Sequence, residues 1–170
     1  MRIIAAAIIL LLAIPAFAGV PKPQQGRIST YLAKQEVEED SFMRIARHGE
    51  KEAVHAVTYY AVVETSAQQL AWLSLKPVTG RTHQLRAHCV TLGTPILGDG
   101  KYGGAAAHPA GVPNARNLHL HARALALPHP AGGELVITAP LPPHMKETWA
   151  FFGFDESDER DPFAGLAPTR

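Results

Sequence analysis

The chain has 170 residues, of which 46% are hydrophobic and 18% charged, a composition typical of one folded domain and not of a disordered polypeptide. The formal net charge of +1 excludes attraction of nucleic acid through overall charge, so any such surface has to come from local clustering. The single cysteine, Cys89, excludes an internal disulfide framework and gives no sign of a thiolate zinc site. Its apolar neighbours favour a buried structural thiol.

Residues 1–18, MRIIAAAIILLLAIPAFA, form a separate apolar segment. One arginine, an apolar run and the tripeptide Ala-Phe-Ala before Gly19 fit a secretory signal peptide with a small-x-small cleavage site, or a short membrane anchor. Two alternatives stay open. The segment is a buried strand or helix of the domain, or it is an unrelated start joined to a downstream coding region.

The next part of the chain alternates between apolar and polar stretches. Residues 26–34 predict a strand or a short helix, whereas residues 35–51 are charged, lack an apolar period and predict a solvated excursion. The stretches 54–64 and 70–78 are rich in β-branched and aromatic residues and flank a short polar connection. This arrangement predicts a β-hairpin.

The second half of the chain predicts shorter elements. They are a helix over 83–92 with Thr82 as its N-cap, a strand at 95–97, a loop at 105–117, a second hairpin of strands at 118–127 and 134–139, and a helix over 141–152. The tail, residues 155–170, is acidic and predicted to be disordered. This order of elements predicts an α+β fold with a mainly antiparallel sheet and flanking helices.

Cations concentrate where a predicted strand turns into the first predicted helix, in the segment KPVTGRTHQLRAH. Arg81, His83, Arg86 and His88 lie within this segment, and Lys101 follows downstream. Unpaired N–H groups at a helix start favour phosphate, and arginine can hold phosphate or carboxylate through two parallel hydrogen bonds. A phosphate-binding surface and a solvated basic helix face both remain open as interpretations.

Three further residues have a functional and a structural interpretation. His119 and His121 occupy alternate strand positions and could share a metal, but no nearby Cys or Glu completes a ligand set, so structural roles are favoured. Asp99 lies in a Gly-Asp-Gly turn, where a turn or capping role is favoured over a nucleophilic one.

Aromatic side chains in the first hairpin could stack on nucleic-acid bases. Strand alternation places Leu73 and Leu75 on the face opposite to Trp72. For Trp72, as for Tyr59 and Tyr60, packing of the sheet is the favoured role.

Five segments match one set of motifs. LKPVTGRTHQLRAH is similar to G-R-[TS]-H-Q-[IL]-R, TPILGDGKYGG to P-[IL]-x-G-D-x-x-Y-G, LHLHARALALPHP to L-x-L-H-A, and ITAPLPPHM to A-P-L-P-x-x-[FM], while GVPKPQQGRISTYLAK matches the region after a tyrosine-bearing strand. These are motifs of the RluA-type RNA pseudouridine synthases, which isomerise uridine in ribosomal and transfer RNA. The chain therefore resembles this family from residue 19 to residue 154.

The resemblance implies that residues 19–154 are the C-terminal half of the catalytic domain, with a partial pseudouridine synthase fold. It implies a cytoplasmic enzyme that uses no cofactor and no metal and acts on ribosomal or transfer RNA. By position, Arg86 would pair with the catalytic aspartate. The RNA-contacting and helix-positioning residues would be Arg81, His83, Gln84 and Lys101.

The chain departs from the family at two catalytic motifs. It contains neither an H-R-L-D segment nor a K-x-Y-x-A strand, and the family's tyrosine position falls on Ala13. We therefore expect a truncated synthase that is inactive alone, and its assignment as an enzyme stays open. The alternatives are a non-catalytic RNA-binding remnant and an exported or membrane-anchored protein that reuses the fold. Only a genuine anchor in residues 1–18 would make a membrane a partner.

Overall fold

A computed structural model describes residues 20–37, 40–67, 69–158 and 162–163, and the backbone alone of residues 6–13. Its strands are β1 (Ala6–Ala13), β2 (Gln25–Val37), β3 (Asp40–Ala46), β4 (Val54–Ser66), β5 (Leu70–Pro77), β6 (Leu120–Pro128) and β7 (Glu134–Thr138). Its helices are α1 (Gln84–Thr91), α2 (Gly100–Gly103) and α3 (Pro143–Phe152), with a short 3-10 helix at Gly104–Ala107. The strands form one antiparallel sheet in the order β3-β2-β4-β5-β1-β6-β7, which confirms the predicted α+β class.

β1 is an interior strand, and it joins β3-β2-β4-β5 on one side of it to β6-β7 on the other. It pairs with β5, where Ile9 lies opposite Leu75, and with β6, where Ala6 lies opposite Ala126. Residues 6–13 thus form a strand of the domain, one of the interpretations that the sequence left open; the rest of residues 1–18 lies outside the described ranges. Among the described helices, none has the length and apolar character needed to cross a membrane.

β5 separates two hydrophobic layers, because successive side chains of a strand point to opposite faces. Leu73 and Leu75 are fully buried in a cluster with Leu85 of α1. Trp72 is buried on the other face in a cluster with Trp149 of α3, and their ring centroids lie 5.5 Å apart. The predicted alternation is confirmed, and Trp72 packs the sheet.

The largest difference from the sequence prediction lies between residues 35 and 46. This part of the predicted solvated excursion forms the end of β2 and all of β3, which pair from Tyr31–Ala46 to Val37–Asp40. Beyond Leu32, β2 has β3 as its only partner in the described sheet. A two-stranded ribbon leaves much of both faces in water, so its charged sequence carries no apolar alternation.

The predicted strand at 95–97 is wrong. Only Ile96 forms an isolated bridge, and α2 and the 3-10 helix follow before the loop. The chain turns sharply at Gly98, where φ is +78° and an added Cβ would lie 1.8 Å from the carbonyl oxygen of Asn117. This turn requires glycine, and it places Asp99 beneath α1.

The described part of the tail is locally ordered. One carboxylate oxygen of Asp155 accepts hydrogen bonds from the backbone N–H and the hydroxyl of Ser157, at 2.9 and 2.6 Å. Phe163 is only 8% exposed, so its ring is packed. The remainder of the predicted disordered segment lies outside the described residues.

Gly98→Ala should lower the free energy of unfolding by about 3 kcal/mol or more, because a Cβ meets backbone at a left-handed φ. Urea unfolding measures the loss. Gly80→Ala is the matched control, since an added Cβ there has nothing within 4 Å and should change stability by less than about 1 kcal/mol. Equal stability of the two variants would contradict this account of the turn.

Candidate functional site

Residues 78–83 connect β5 to α1 and carry Arg81 and His83 to one end of the sheet. α1 begins after His83, whose φ of 48° is left-handed, and no side chain caps the helix. The predicted N-cap, Thr82, is therefore wrong. A buried side chain within α1 holds the connection in place instead.

That side chain is Gln84, which is 3% exposed. Its amide nitrogen donates to the carbonyl of Val57 and the hydroxyl of Thr58, each at 2.9 Å. Its amide oxygen accepts from the hydroxyl of Thr79 at 2.7 Å and the backbone N–H of Arg81 at 3.1 Å. Gln84 positions the helix and the connection from below, and its amide does not face solvent.

Arg86 is held by an ion pair with Asp99. Its Nε lies 2.9 Å from one carboxylate oxygen and its Nη2 2.6 Å from the other. The Asp99 side chain is 0% exposed and that of Arg86 18% exposed. Asp99 also accepts the backbone N–H of Tyr102 at 3.1 Å at the start of α2, which is the predicted capping role. The ion pair raises the pKa of Arg86, so the guanidinium stays charged.

The Arg86–Asp99 pair was not predicted from the sequence. The family resemblance predicts Arg86 as the partner of an aspartate that this sequence does not contain, and the sequence predicts Asp99 as a turn or capping residue. The structure supplies an internal carboxylate for the guanidinium. One feature of the sequence could have indicated this ion pair. The Gly-Asp-Gly turn follows the GRTHQLR segment so closely that the chain can fold back and bring Asp99 beneath Arg86.

Tyr102 supports the guanidinium from a second side. The Cζ atom of Arg86 lies 4.7 Å from the centroid of the Tyr102 ring, a cation–π contact. The Tyr102 hydroxyl accepts the backbone N–H of Met43 at 2.8 Å and lies 3.0 Å from Nδ1 of His83. Tyr102 therefore ties β3 to α1 at the site. Tyr102 is not among the site residues that the sequence predicts.

An open cavity of about 320 Å³ lies over the outer end of Arg86. Arg81, His83 and Leu120 line it, and among the described residues no acidic side chain does. Within the described ranges, Nη1 of Arg86 makes no hydrogen bond, because Asp99 occupies the Nε–Nη2 edge. Burial, and then the neighbouring cations, lower the pKa of His83. The cavity can therefore accept a carboxylate or a phosphate at Nη1.

Lys101 lies apart from this cavity. Its ammonium group forms an ion pair with Asp40 at 2.7 Å and lines a separate cavity with Phe42 and Tyr102, between β3 and α1. Of the predicted site residues, the structure brings Arg81, His83 and Arg86 together at one surface. It places Lys101 beside the β2–β3 ribbon and Gln84 beneath the surface.

His88 belongs to the buried polar layer under α1. Its Nδ1 lies 2.8 Å from the hydroxyl of Thr58 and its Nε2 3.0 Å from that of Thr30. Burial lowers its pKa to about 4. Both ring nitrogens are engaged with the sheet, so His88 anchors the helix and does not reach the cavity.

His119 is engaged in the same way on the α3 side. Its Nδ1 donates to the carbonyl of Asn117 at 2.7 Å, its Nε2 lies 2.9 Å from the hydroxyl of Thr148, and burial lowers its pKa to about 4. His121 lies 3.3 Å from the carbonyl of Ala139. In the part of the chain that the structure describes, no group of three or more His, Cys, Asp or Glu side chains could hold a metal ion. Burial also raises the pKa of the Cys89 thiol, as expected for a structural cysteine.

Asp99→Asn should destabilise the fold by about 3 kcal/mol, because it leaves the partly buried Arg86 charge without a partner while keeping an acceptor for Tyr102. Chemical denaturation at pH 7 measures the change. Asp40→Asn, which breaks an ion pair whose carboxylate is 69% exposed, is the control and should cost less than about 1 kcal/mol. Equal losses in the two variants would refute a structural role for the buried pair.

Stability should fall as the pH is lowered from about 6.5 towards 5. Over this range an unfolded histidine gains a proton, whereas His88 and His119, with folded pKa values of about 4, do not. Each should contribute a loss of roughly 2 kcal/mol by pH 5. Urea unfolding at several pH values measures the slope, and His88→Gln should reduce it by about half. A flat profile for the unmodified protein would contradict the prediction.

Comparison with known proteins identifies the family. The family model described as RNA pseudouridylate synthase matches residues 7–91. RNA pseudouridine synthase 4 (mitochondrial) of Arabidopsis thaliana is 48% identical over 89 residues, or 50% of this chain and 19% of the relative. The dual-specificity RNA pseudouridine synthase RluA of Escherichia coli strain K12 is 48% identical over 86 residues, or 50% of this chain and 37% of the relative. The chain thus spans well under half the length of these relatives.

Solved structures extend the similarity over most of the fold. Human RNA Pseudouridylate Synthase Domain Containing 4 superposes with a TM-score of 0.69 at 25% identity, covering 88% of this chain and 62% of that chain. Human RNA Pseudouridylate Synthase Domain Containing 1 superposes with a TM-score of 0.64 at 28% identity, covering 82% and 56%. The family match includes β1 and the whole connection from β5 through α1, which carries the Arg86 site. This chain belongs to the RNA pseudouridylate synthase family.

Proposed function

We propose that this chain forms the arginine side of the active site of an RNA uridine-to-pseudouridine isomerase, and that it binds RNA but does not isomerise uridine by itself. The observation that carries the proposal is the fixed guanidinium of Arg86 at an open cavity. Asp99 and Tyr102 hold it, and Nη1 has no hydrogen-bond partner among the described residues. The guanidinium can therefore donate a hydrogen bond from Nη1 to one more anion.

The chemistry needs an anion at this place. In the family reaction the bond between N1 of uracil and C1′ of ribose breaks, and a bond between C5 and C1′ forms, with an enzyme carboxylate in the central role. The proton lost from C5 is balanced by one gained at N1, so the reaction is an isomerisation. A carboxylate in a pocket that excludes water has to stay ionised. A hydrogen bond from the free Nη1 of Arg86 would offset the cost of removing that carboxylate from water.

No residue of this chain fits the role of that carboxylate. Its aspartates are Asp40, Asp99, Asp155, Asp158 and Asp161, and none stands in an H-R-L-D context. Asp99 is fully buried and has both oxygens engaged. The proposal therefore assigns the carboxylate to a segment that these 170 residues do not include.

RNA is the partner that the site chemistry favours. Arg81 and His83 line the cavity beside Arg86 and offer hydrogen-bond donors to a phosphate. A target uridine has to leave its stack to reach the cavity, and cations beside it would hold the displaced strand. We propose ribosomal or transfer RNA as the substrate class and the cytoplasm as the compartment, as the family resemblance implies.

A non-catalytic RNA-binding protein is the second candidate. It is favoured by one specific observation: in the part of the chain that the structure describes, no acidic residue lines the cavity at Arg86. The two candidates make the same prediction for RNA binding by this chain. They differ in one respect. Only the isomerase requires that a carboxylate from the missing segment bind in the cavity at Arg86.

The chain should bind a structured RNA with an affinity that falls steeply with salt, since binding to phosphates releases counterions. Fluorescence anisotropy with a stem-loop RNA at several salt concentrations measures the slope. Arg81→Ala should weaken binding and reduce the slope by about 1, because the exposed guanidinium contacts phosphate. Incubation of the same chain with unmodified ribosomal RNA should yield no pseudouridine.

Lys146→Ala is the matched control. It also removes one exposed positive charge, but Lys146 lies on α3, does not line the cavity at Arg86, and pairs with Glu156 at 3.4 Å. It should bind like the unmodified protein. Binding that is indifferent to salt would count against an RNA-binding surface, and clear formation of pseudouridine would refute the assignment of the carboxylate to another segment.

A further inference from the structure

We propose that Tyr31, His48 and His55 form a second contact for the same RNA, a stacking platform for one unpaired base next to the nucleotide at the Arg86 cavity. This inference rests on the proposed RNA-binding function. The three residues lie outside the cavity, and the active-site chemistry does not use them.

The three rings form one cluster at the surface. Tyr31 on β2 lies opposite His55 on β4, and their ring centroids are 5.1 Å apart at an interplanar angle of 38°. His48, in the turn after β3, packs its ring edge-on against Tyr31 at 5.0 Å. Both imidazoles are exposed, and the hydroxyl of Ser29 lies 2.8 Å from Nε2 of His55. The rings are therefore held in place before any ligand arrives.

Arg81 connects this ring cluster to the cavity. Its Nε donates to the backbone carbonyl of His55 at 3.2 Å, and the same side chain lines the Arg86 cavity. Because the contact uses Nε, the two terminal nitrogens stay available for a phosphate. No carboxylate pairs with Arg81 in the described ranges. A phosphate bound by Arg81 would have the cavity on one side and the ring cluster on the other.

The ring cluster lies on the face of the sheet opposite α1, because Thr30 and Thr58, at the alternate positions, contact His88 of α1. An RNA strand would therefore pass around Arg81 from one face of the sheet to the other.

The charge of this sheet face suits an RNA strand. Arg27 shares the face of Tyr31, and it lies in register with Tyr59 and, through Tyr59, with Lys76. On β2 from Gln25 to Ala33 and on β4 from His55 to Ala61, this face carries no acidic side chain.

The nearest turn adds little negative charge. It contains two glutamates, Glu50 and Glu52, and two cations, Arg47 and Lys51, and Glu50 is already bound by Arg44. Rings that take up a base next to cations that take up phosphates are the usual composition of a single-stranded nucleic-acid site. An acidic peptide would use the cations but leave the rings without a role.

The test is a titration of a stem-loop RNA that carries 2-aminopurine at successive loop positions, with the full chain and two variants of Tyr31. Tyr31→Leu removes the ring and should weaken binding roughly 5-fold or more without changing the salt slope, since stacking does not release counterions. It should also abolish the fluorescence change at one loop position. Tyr31→Phe keeps the ring and should behave like the unmodified protein.

Thermal unfolding monitored by circular dichroism shows whether each variant is folded. If Tyr31→Leu is not, His48→Ala carries the test, because it removes an exposed ring from a turn, and it should weaken binding about 3-fold. A fully paired duplex of the same charge should bind Tyr31→Leu and the unmodified protein equally well.

The outcomes separate the two proposals. If Arg81→Ala weakens binding while the folded ring variants bind like the unmodified protein, the stacking platform is refuted and the RNA-binding function stands. If polyglutamate competes as well as RNA, the platform is also refuted. If the unmodified protein shows no salt-dependent RNA binding, the proposed function itself fails.

Discussion

The buried ion pair between Arg86 and Asp99 is the interaction on which the site depends. A carboxylate with no exposed surface is costly to remove from water, and only a well-placed cation with good hydrogen-bond geometry offsets that cost. The pair therefore requires that α1 and the turn after it meet in one arrangement. Gly98 meets this requirement through its left-handed φ, and Tyr102 through its contact with the guanidinium.

The same pair divides the guanidinium into two functional edges. The Nε–Nη2 edge is bound by Asp99 inside the protein, whereas Nη1 makes no hydrogen bond to the described residues, and the side chain of Arg86 lines a cavity. Because folding already fixes the orientation of this guanidinium, an incoming anion binds a preorganised cation. Arg86 of this chain thus serves both the fold and the proposed chemistry. Its replacement by alanine would confuse the two roles, whereas Arg81 can be changed with less effect on the core.

The sequence predicted the elements with a strong local composition and missed those that depend on distant partners. The β-branched and aromatic residues at 54–64 and 70–78 predicted the hairpin of β4 and β5, and the two faces of β5 pack against different helices. Residues 35–46 gave no such pattern, since the ribbon has few buried side chains. The role of Gln84 could not be read from the sequence, because its amide has partners in two other segments. The motif resemblance indicated Arg86 as a site residue, but its ion pair with Asp99 depends on the folded turn and was not predicted.

The interior position of β1 affects how the protein folds during synthesis. This strand is translated well before its neighbours in the sheet, β5 and β6, and Ala6 pairs with Ala126. The two parts of the sheet cannot join through β1 until most of the polypeptide has been translated, since non-local pairing has to wait for both strands. During that delay the nascent chain exposes an apolar segment whose two hydrogen-bonding edges are unpaired. Segments of this kind aggregate readily, and chaperones bind them.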